Sequence, residues 1–362
     1  MKILNITDAF NPLTGTTGKL RRIVTESHYD HSIYFMCYKN NYNLALAENQ
    51  FYEKHNITTY YGNFGRNLVS HFKIIHKIIK QEHIDIVHFY FNYPMFLALP
   101  IKLFHPNVLT VRSWVGYIKL STMSKFFVKL SLHKLDHSIY ISKYIQSIYE
   151  KDFPILKRVH SSIIYNSPVN TVGIEPSDIQ TRDLYLYLGG LNNNKNVELL
   201  IEMMNIVVNE KHRKEVVLTL VGDGNSRSSL EWLVQKYGLS SNVNFVGFSN
   251  QVAQFLNRTK IYLHPATNEG FGISVVEAMQ MKCACIVSNV SALPELIEND
   301  ISGLVLPYNQ PQIWAEEFLN LIDSNPRIKQ LGENASKRVR DVFSHVKFIM
   351  NHDNFYNLIF KK

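Results

Sequence analysis

The segment that most constrains this chain runs from Lys260 to Ser288, KIYLHPATNEGFGISVVEAMQMKCACIVS. Ile261 to Leu263 is an apolar run of buried-strand type, closed by His264 and Pro265. Gly270-Phe271-Gly272 opens a helix from about Ile273, with Val275, Val276, Ala278, Met279 and Met281 as its apolar positions, and Cys283 to Ser288 reads as a second buried strand. Glycines ahead of a helix let backbone N–H groups approach a ligand closely. Those N–H groups and the helix dipole together favour an anion such as phosphate. Glu269 precedes the turn and Glu277 lies inside the helix. Eight residues of helix rise about 12 Å, so the two carboxylates cannot share a proton as a tight dyad. They suit the two hydroxyl-rich ends of an extended ligand with phosphate between them, the shape of a nucleoside diphosphate sugar.

At 362 residues the chain has room for two domains, each with its own core. Cys37, Cys283 and Cys285 fit neither a disulfide framework nor a metal spacing, which points to a reducing compartment. MKILNITDAF begins a strand and lacks signal-peptide character, and the apolar run from Met95 to Leu103 is too short to span a bilayer. Residues 1–170 hold 20 Lys and Arg against 10 Asp and Glu, whereas residues 171–362 hold 18 against 20. The basic first half suggests an anionic partner or surface, and no nucleic-acid motif accompanies it.

That first half alternates strands and helices, as a doubly wound parallel sheet requires. Strands are expected at Ile3–Thr7, Ser32–Tyr38, Thr58–Tyr61, Ile84–Phe89, Val108–Val111, Ser138–Ile141 and Ser161–Tyr165. Leu68–Gln81 reads as a basic amphipathic helix, and Tyr117–Leu135 as a second one, with Lys119, Lys125, Lys129 and Lys134 between apolar residues. The second suits a helix lying on an anionic membrane face, and an ordinary solvated surface helix would look much the same. The loop from Asn11 to Lys19 is not a nucleoside triphosphate loop, because Leu13 and Leu20 replace the required Gly and Ser/Thr. No strand leads into Gly-x-Gly-x-x-Gly with a suitably placed acid, which disfavours a nicotinamide dehydrogenase.

The second half restarts the alternation after a polar stretch, Asn170–Arg182, that reads as a linker. Strands are expected at Leu184–Leu188, Val216–Val221 and Asn242–Phe248, and helices at Asn196–Asn209, Gln312–Ser324, Asn325–Val342 and Ser344–Phe360.

From Tyr185 to Pro307 the chain resembles the retaining glycosyltransferases of family 4, whose signature is Glu, seven residues, Glu, here Glu269 to Glu277. Pro294-Glu295 and Gly303-Leu304 follow as in that family. The resemblance implies a GT-B fold: two Rossmann-like parallel-sheet α/β domains facing across a cleft. An acceptor domain would span 1–168, with a C-terminal helix over 344–362 packing back on it, and a donor domain 169–343. It further implies that Glu277 holds ribose hydroxyls, Glu269 contacts the transferred sugar, and Lys195 with the N–H groups of Gly270, Phe271, Gly272 and Ile273 holds the diphosphate. Gly190 stands where the family has an Arg. Gly222 lines the donor side, the base is expected to meet backbone just after the strand ending at Phe248, and Gly15 and Gly18 would face the donor phosphates. His88 matches the first of a His pair whose second place is Tyr90, and Arg112 stands where the family has His; His88 is a catalytic candidate, Tyr90 and Arg112 acceptor-side candidates. Lys19 and Arg112 are candidates to replace the missing cation.

The implied reaction is retaining transfer of a hexose-type sugar, with UDP-sugars favoured, to a saccharide or lipid-linked saccharide. The setting would be bacterial surface polysaccharide synthesis, at the cytoplasmic face of the inner membrane or nearby. No cofactor and no metal is expected. The departures at Gly190 and Arg112 keep open a catalytically silent scaffold subunit of the same fold, and a UDP-sugar 2-epimerase is a further alternative.

Overall fold

The computed structural model describes residues 1–7, 15–36, 42–118 and 120–361. Cys37, Lys119 and residues 11–14 of the loop from Asn11 fall outside them. The chain forms two compact units, one of residues 1–166 with 346–362, the other of residues 167–345.

In the first unit β1 (Lys2–Thr7), α1 (Gly15–Glu26), β2 (Asp30–Phe35), α2 (Tyr42–Lys54), β3 (Thr58–Tyr61), α3 (Leu68–Glu82) and β4 (Ile86–Tyr90) alternate regularly. Two short helices follow, α4 (Asn92–Met95) and α5 (Ala98–Phe104), then β5 (Leu109–Trp114), α6 (Thr122–Leu132), β6 (His137–Tyr140), α7 (Lys143–Asp152) and β7 (His160–Ile163). All seven strands pair in parallel, in the order β3-β2-β1-β4-β5-β6-β7. A parallel sheet needs helices on both faces, so its strands read as unbroken apolar runs. Ile3, Ile86, Val111 and Ile139 of neighbouring strands share one core with Phe348, Phe355 and Tyr356.

The second unit runs through β8 (Leu184–Leu188), α8 (Val197–Asn205), β9 (Leu218–Val221), α9 (Arg227–Lys236), β10 (Val243–Gly247), α10 (Val252–Asn257), β11 (Thr259–His264), α11 (Ile273–Gln280), β12 (Ala284–Ser288), α12 (Leu293–Leu296), β13 (Leu304–Leu306), α13 (Pro311–Ile322) and α14 (Asn325–Arg338). Its parallel sheet has the order β10-β9-β8-β11-β12-β13. α15 (His345–Phe360) follows and, from Val346, packs in the first unit.

Three expectations are corrected. The helix expected over 196–209 is α-helical only to Asn205 and finishes as a π turn, Ile206–Glu210; a π turn, Val339–Phe343, likewise closes α14. The basic segment from Tyr117 is helical only from Thr122, because the Ser121 hydroxyl caps the helix by accepting from Ser124 N. The stretch Asn170–Arg182 is no free linker. Its polar groups are taken up inside the second unit, Asn170 N by Glu277 and Ser177 N by Asn257 Oδ1 at 2.7 Å, and Arg182 is buried.

One turn shows how tightly the loops after the second sheet are packed. Gly222, just past β9, has φ +136°, and a Cβ there would lie 1.9 Å from the carbonyl oxygen of Gly189, just past β8. Gly222→Ala should therefore lower stability by at least about 2 kcal/mol, through both steric overlap and backbone strain. Gly173→Ala, also at positive φ but in open space, should cost only about 1 kcal/mol. Urea unfolding of the two variants measures the difference.

Candidate functional site

The second sheet reverses its strand order between β8 and β11: the chain leaves β8 toward β9 and β10, and leaves β11 toward β12 and β13. Loops that follow the carboxyl ends of two such strands diverge and leave a crevice, the usual ligand position in open α/β sheets. Both loops here carry charged residues. After β8, Gly189-Gly190 leads to a single 3₁₀ turn, Asn193–Lys195, and Asn196 takes a left-handed conformation (φ 54°) before α8. After β11, Pro265 to Gly272 lead to α11.

Lys195 and Glu269 meet there. Lys195 Nζ donates to Glu269 Oε2 at 2.5 Å, and His264 Nε2 lies 3.2 Å from the same oxygen. Burial would raise the Glu269 carboxyl, but the hydrogen bond from His264 and the Lys195 ammonium outweigh it and bring it down to about 2. Glu269 is thus an ionised acceptor at neutral pH. His264 is buried, and burial holds its imidazole below the ordinary histidine value against the pull of Glu269. Its ring lies near-parallel to Tyr187 and Tyr262, and the Tyr262 hydroxyl reaches Ser274 Oγ at 2.9 Å in the first turn of α11. The sequence reading missed His264 as a site residue. Its signal was modest: a polar residue closing an apolar strand, five positions before the glutamate it touches.

The turn between them is built around Gly272, the N-cap of α11, at φ 102°. A Cβ there would lie 3.1 Å from Leu296 Cδ1 and 3.3 Å from Leu293 Cδ2 of α12. Only glycine meets both conditions without strain. Val275 N donates to Gly272 O at 3.1 Å, and the N-cap offers α11 no side-chain acceptor. Phe271 is buried against Phe343, so of the four residues 270–273 it can offer a ligand only backbone.

Glu277 has partners the sequence did not announce. Its Oε1 accepts from Val169 N at 3.0 Å, Asn170 N at 2.7 Å and Asn170 Nδ2 at 2.9 Å, with the side chain almost wholly enclosed. Thr171 Oγ1 donates to Gln280 Oε1 one turn later. Glu277 therefore anchors the segment entering the second unit. Gly190 and Gly222 line the loops beside β8, with Tyr187 OH donating to Gly190 O at 2.9 Å. A Cβ at Gly190 would meet Asn192 Nδ2 at 2.9 Å. Phe248, just past the edge strand β10, is 67% exposed.

The first-unit candidates are placed differently. Gly15 and Gly18 lie in the first turn of α1, and residues 8–14 before them are outside the described residues. His88 has no solvent exposure: Nδ1 lies 2.7 Å from Tyr356 OH and Nε2 lies 2.9 Å from Ser113 Oγ. Tyr90 is equally buried and stacks on His88 at 4.5 Å. Arg112 is buried too, donating to Asn92 Oδ1 at 2.8 Å and lying over the Trp114 ring. The expectation had these three side chains facing a ligand; the structure places them in the interior of the unit. α15 covers His88, and all three are engaged inside the unit. Near them burial lowers Lys19 to about 7 and holds His31 and His352 at about 3. Among the described residues no group of three or more His, Cys, Asp or Glu side chains could hold a metal ion, and no helix is long and apolar enough to cross a membrane.

Residues 174–338 match the family model described as glycosyl transferases group 1. An uncharacterised glycosyltransferase of Methanocaldococcus jannaschii is 28% identical over 294 residues, covering 78% of each chain. The N-acetylgalactosamine-N,N'-diacetylbacillosaminyl-diphospho-undecaprenol 4-alpha-N-acetylgalactosaminyltransferase of Campylobacter jejuni is 23% identical, covering 75% of this chain and 76% of its own. HepE of Anabaena, solved with UDP, superposes with a TM-score of 0.83 at 18% identity over 99% of this chain and 100% of its own; its UDP-glucose complex gives 0.77. The two parallel-sheet units have the GT-B fold.

Two measurements check the electrostatics. Lys195→Ala removes one of the two groups that stabilise ionised Glu269, so its carboxyl should titrate upward from about 2, read by carbon NMR of the labelled side chain. His31 and His352 bind protons in the unfolded chain near pH 6.5 and in the folded one only near 3. The unfolded state therefore binds more protons between those values, and stability should rise with pH across that window. His31→Phe should flatten the rise in urea midpoints.

Proposed function

We propose that this glycosyltransferase, whose residues 174–338 belong to the glycosyl transferases group 1, moves a hexose-type sugar from a UDP-sugar to a saccharide or lipid-linked saccharide with retention of configuration. The observation that carries the reading is the Lys195–Glu269–His264 chain at the β8/β11 switch point, beside the uncapped start of α11.

The donor binds the second unit. Its diphosphate lies against the N–H groups of Gly270 to Ile273 and the Lys195 ammonium, which gain strength as negative charge builds on the leaving group. The same groups take the role a metal would have, so no cofactor or metal is needed. Glu269, ionised and fixed by two partners, accepts from a hydroxyl of the transferred sugar and is no proton donor near pH 7. Ribose hydroxyls are taken up by Glu277, as the family resemblance implies. The base meets backbone beyond β10, where exposed Phe248 offers a ring face. The acceptor attacks the face that the diphosphate leaves, and the leaving phosphate takes its proton. A cation at the Gly190 position is missing, and Lys195 with the N–H groups of Gly270 to Ile273 offsets it.

Two further supports concern setting. Relatives include a transferase acting on a diphospho-undecaprenol substrate, which fits surface-polysaccharide synthesis and a lipid-linked acceptor for the first unit. In that unit, α5 and α6 expose Leu103, Phe104, Met123, Phe126, Phe127 and Leu130, with Lys125 and Lys129 among them. Apolar side chains ringed by lysines suit peripheral contact with an anionic membrane.

Thermal unfolding with UDP, GDP and their sugars tests the reading. A ligand at ~100 times its Kd stabilises by about 2.7 kcal/mol, a shift of a few degrees in Tm. UDP species should shift the folded protein selectively. Glu277→Gln should weaken UDP binding roughly 10- to 100-fold, the equivalent of one charge-assisted hydrogen bond. Glu269→Ala should keep UDP affinity and lose turnover. A folded protein that no nucleotide stabilises would move the reading to a scaffold role.

A further inference from the structure

A second pocket, of about 240 Å³, lies in the second unit at the amino ends of its strands, on the opposite edge of the sheet from Glu269 and Lys195. Arg182, two residues before β8, and Lys282, two before β12, line it, and Lys329 of α14 adds a third cation. Pro176 and Ile179 give it an apolar wall.

Arg182 is the anomaly. It is only 3% exposed, and its guanidinium is held by neutral groups: Nη1 donates to Thr259 O at 3.0 Å and contacts Cys283 Sγ, and Nη2 donates to Ser177 O at 2.8 Å. Its Nε is sealed from solvent and has no partner. Among the described residues no carboxylate forms an ion pair with it. A buried charge without a counter-charge is strongly unfavourable. Asp178 acts on Arg182 through space but forms no ion pair with it. Asp178 Oδ1 accepts from Gln180 N, and Glu333 is an exposed residue one turn along α14 from Lys329. Lys282 is set by the backbone: it has φ 57°, and Gly332 packs so closely that a Cβ there would lie 2.1 Å from Lys282 O. The backbone that carries this rim lysine is therefore placed by the fold.

We propose that this pocket is a second anion site, separate from the donor site, for a small molecule bearing a phosphate group. Phosphate adds negative charge beside Arg182, which has no ion-paired carboxylate among the described residues, and has oxygens enough for Lys282 and Lys329 as well. Pro176 and Ile179 cover a compact organic body. The pocket is smaller than the ~300 Å³ at which drug-sized sites begin, so the ligand is of sugar-phosphate size or less.

The test is calorimetric titration of the full-length chain with inorganic phosphate, pyrophosphate and glucose 6-phosphate. Wild type and Lys195→Ala should bind a phosphate probe alike. Lys282→Ala/Lys329→Ala, which changes only exposed side chains, should bind it roughly tenfold more weakly or worse, with far-UV circular dichroism and Tm unchanged. Tighter binding of glucose 6-phosphate than of inorganic phosphate supports an organic occupant, and the reverse supports the free ion. The inference is overturned if no probe binds the folded wild type, if the double variant binds as well as wild type, or if Lys195→Ala abolishes binding, which would assign the ion to the donor site.

Discussion

A carboxylate in the middle of a buried helix face must find donors, and Glu277 finds three on one oxygen, from Val169 and Asn170. That requirement decides much of the second unit. It pins the incoming segment to α11 and fixes the rotation of α11. With Gly272 as N-cap, that rotation fixes where the first N–H groups of the helix point. An acid removed from such a place would leave three part-buried donors without their acceptor, a cost below that of fully buried groups. The residue that the resemblance assigns to ribose binding is thus also a structural anchor, and Glu277→Gln separates the two better than alanine, because it keeps an acceptor.

The same sheet geometry sets Lys195 and Glu269 at the carboxyl ends of the strands and Arg182 at their amino ends. β8 and β11 are neighbours, yet they belong to opposite arms of the chain, so the loops that follow them part and expose Lys195 and Glu269 to each other. The interior of the sheet is closed by Val, Ile and Leu from both faces. Glu269 stands at the carboxyl ends of the strands, and Arg182 is buried at their amino ends.

The first unit handles polarity differently. His88, Tyr90 and Arg112 sit in or beside the central strands and are consumed by internal bonds, with Tyr356 of α15 closing over His88. His31 and His352 stay largely uncharged near neutral pH because burial penalises their protonated forms, and the same cause lowers Lys19 to about 7. A polar residue at the end of an apolar run looks the same in sequence whether it faces a ligand or a covering helix.

What the sequence by itself determined was local. Alternating strands and helices, the glycine turn before α11, the Glu269–Glu277 spacing and Lys195 after its asparagine run were legible, because each depends on residues within one or two turns of chain. The tertiary structure alone decided which long-range partners these residues meet. Lys195 and Glu269 are 74 positions apart, Glu277 and its donors 107 to 108, His88 and Tyr356 268. Whether a histidine such as His264 touches the site or one such as His88 is sealed beneath a helix depends on strand order and helix docking. Those are set by burial of apolar area summed over the whole core, which no single stretch of sequence records.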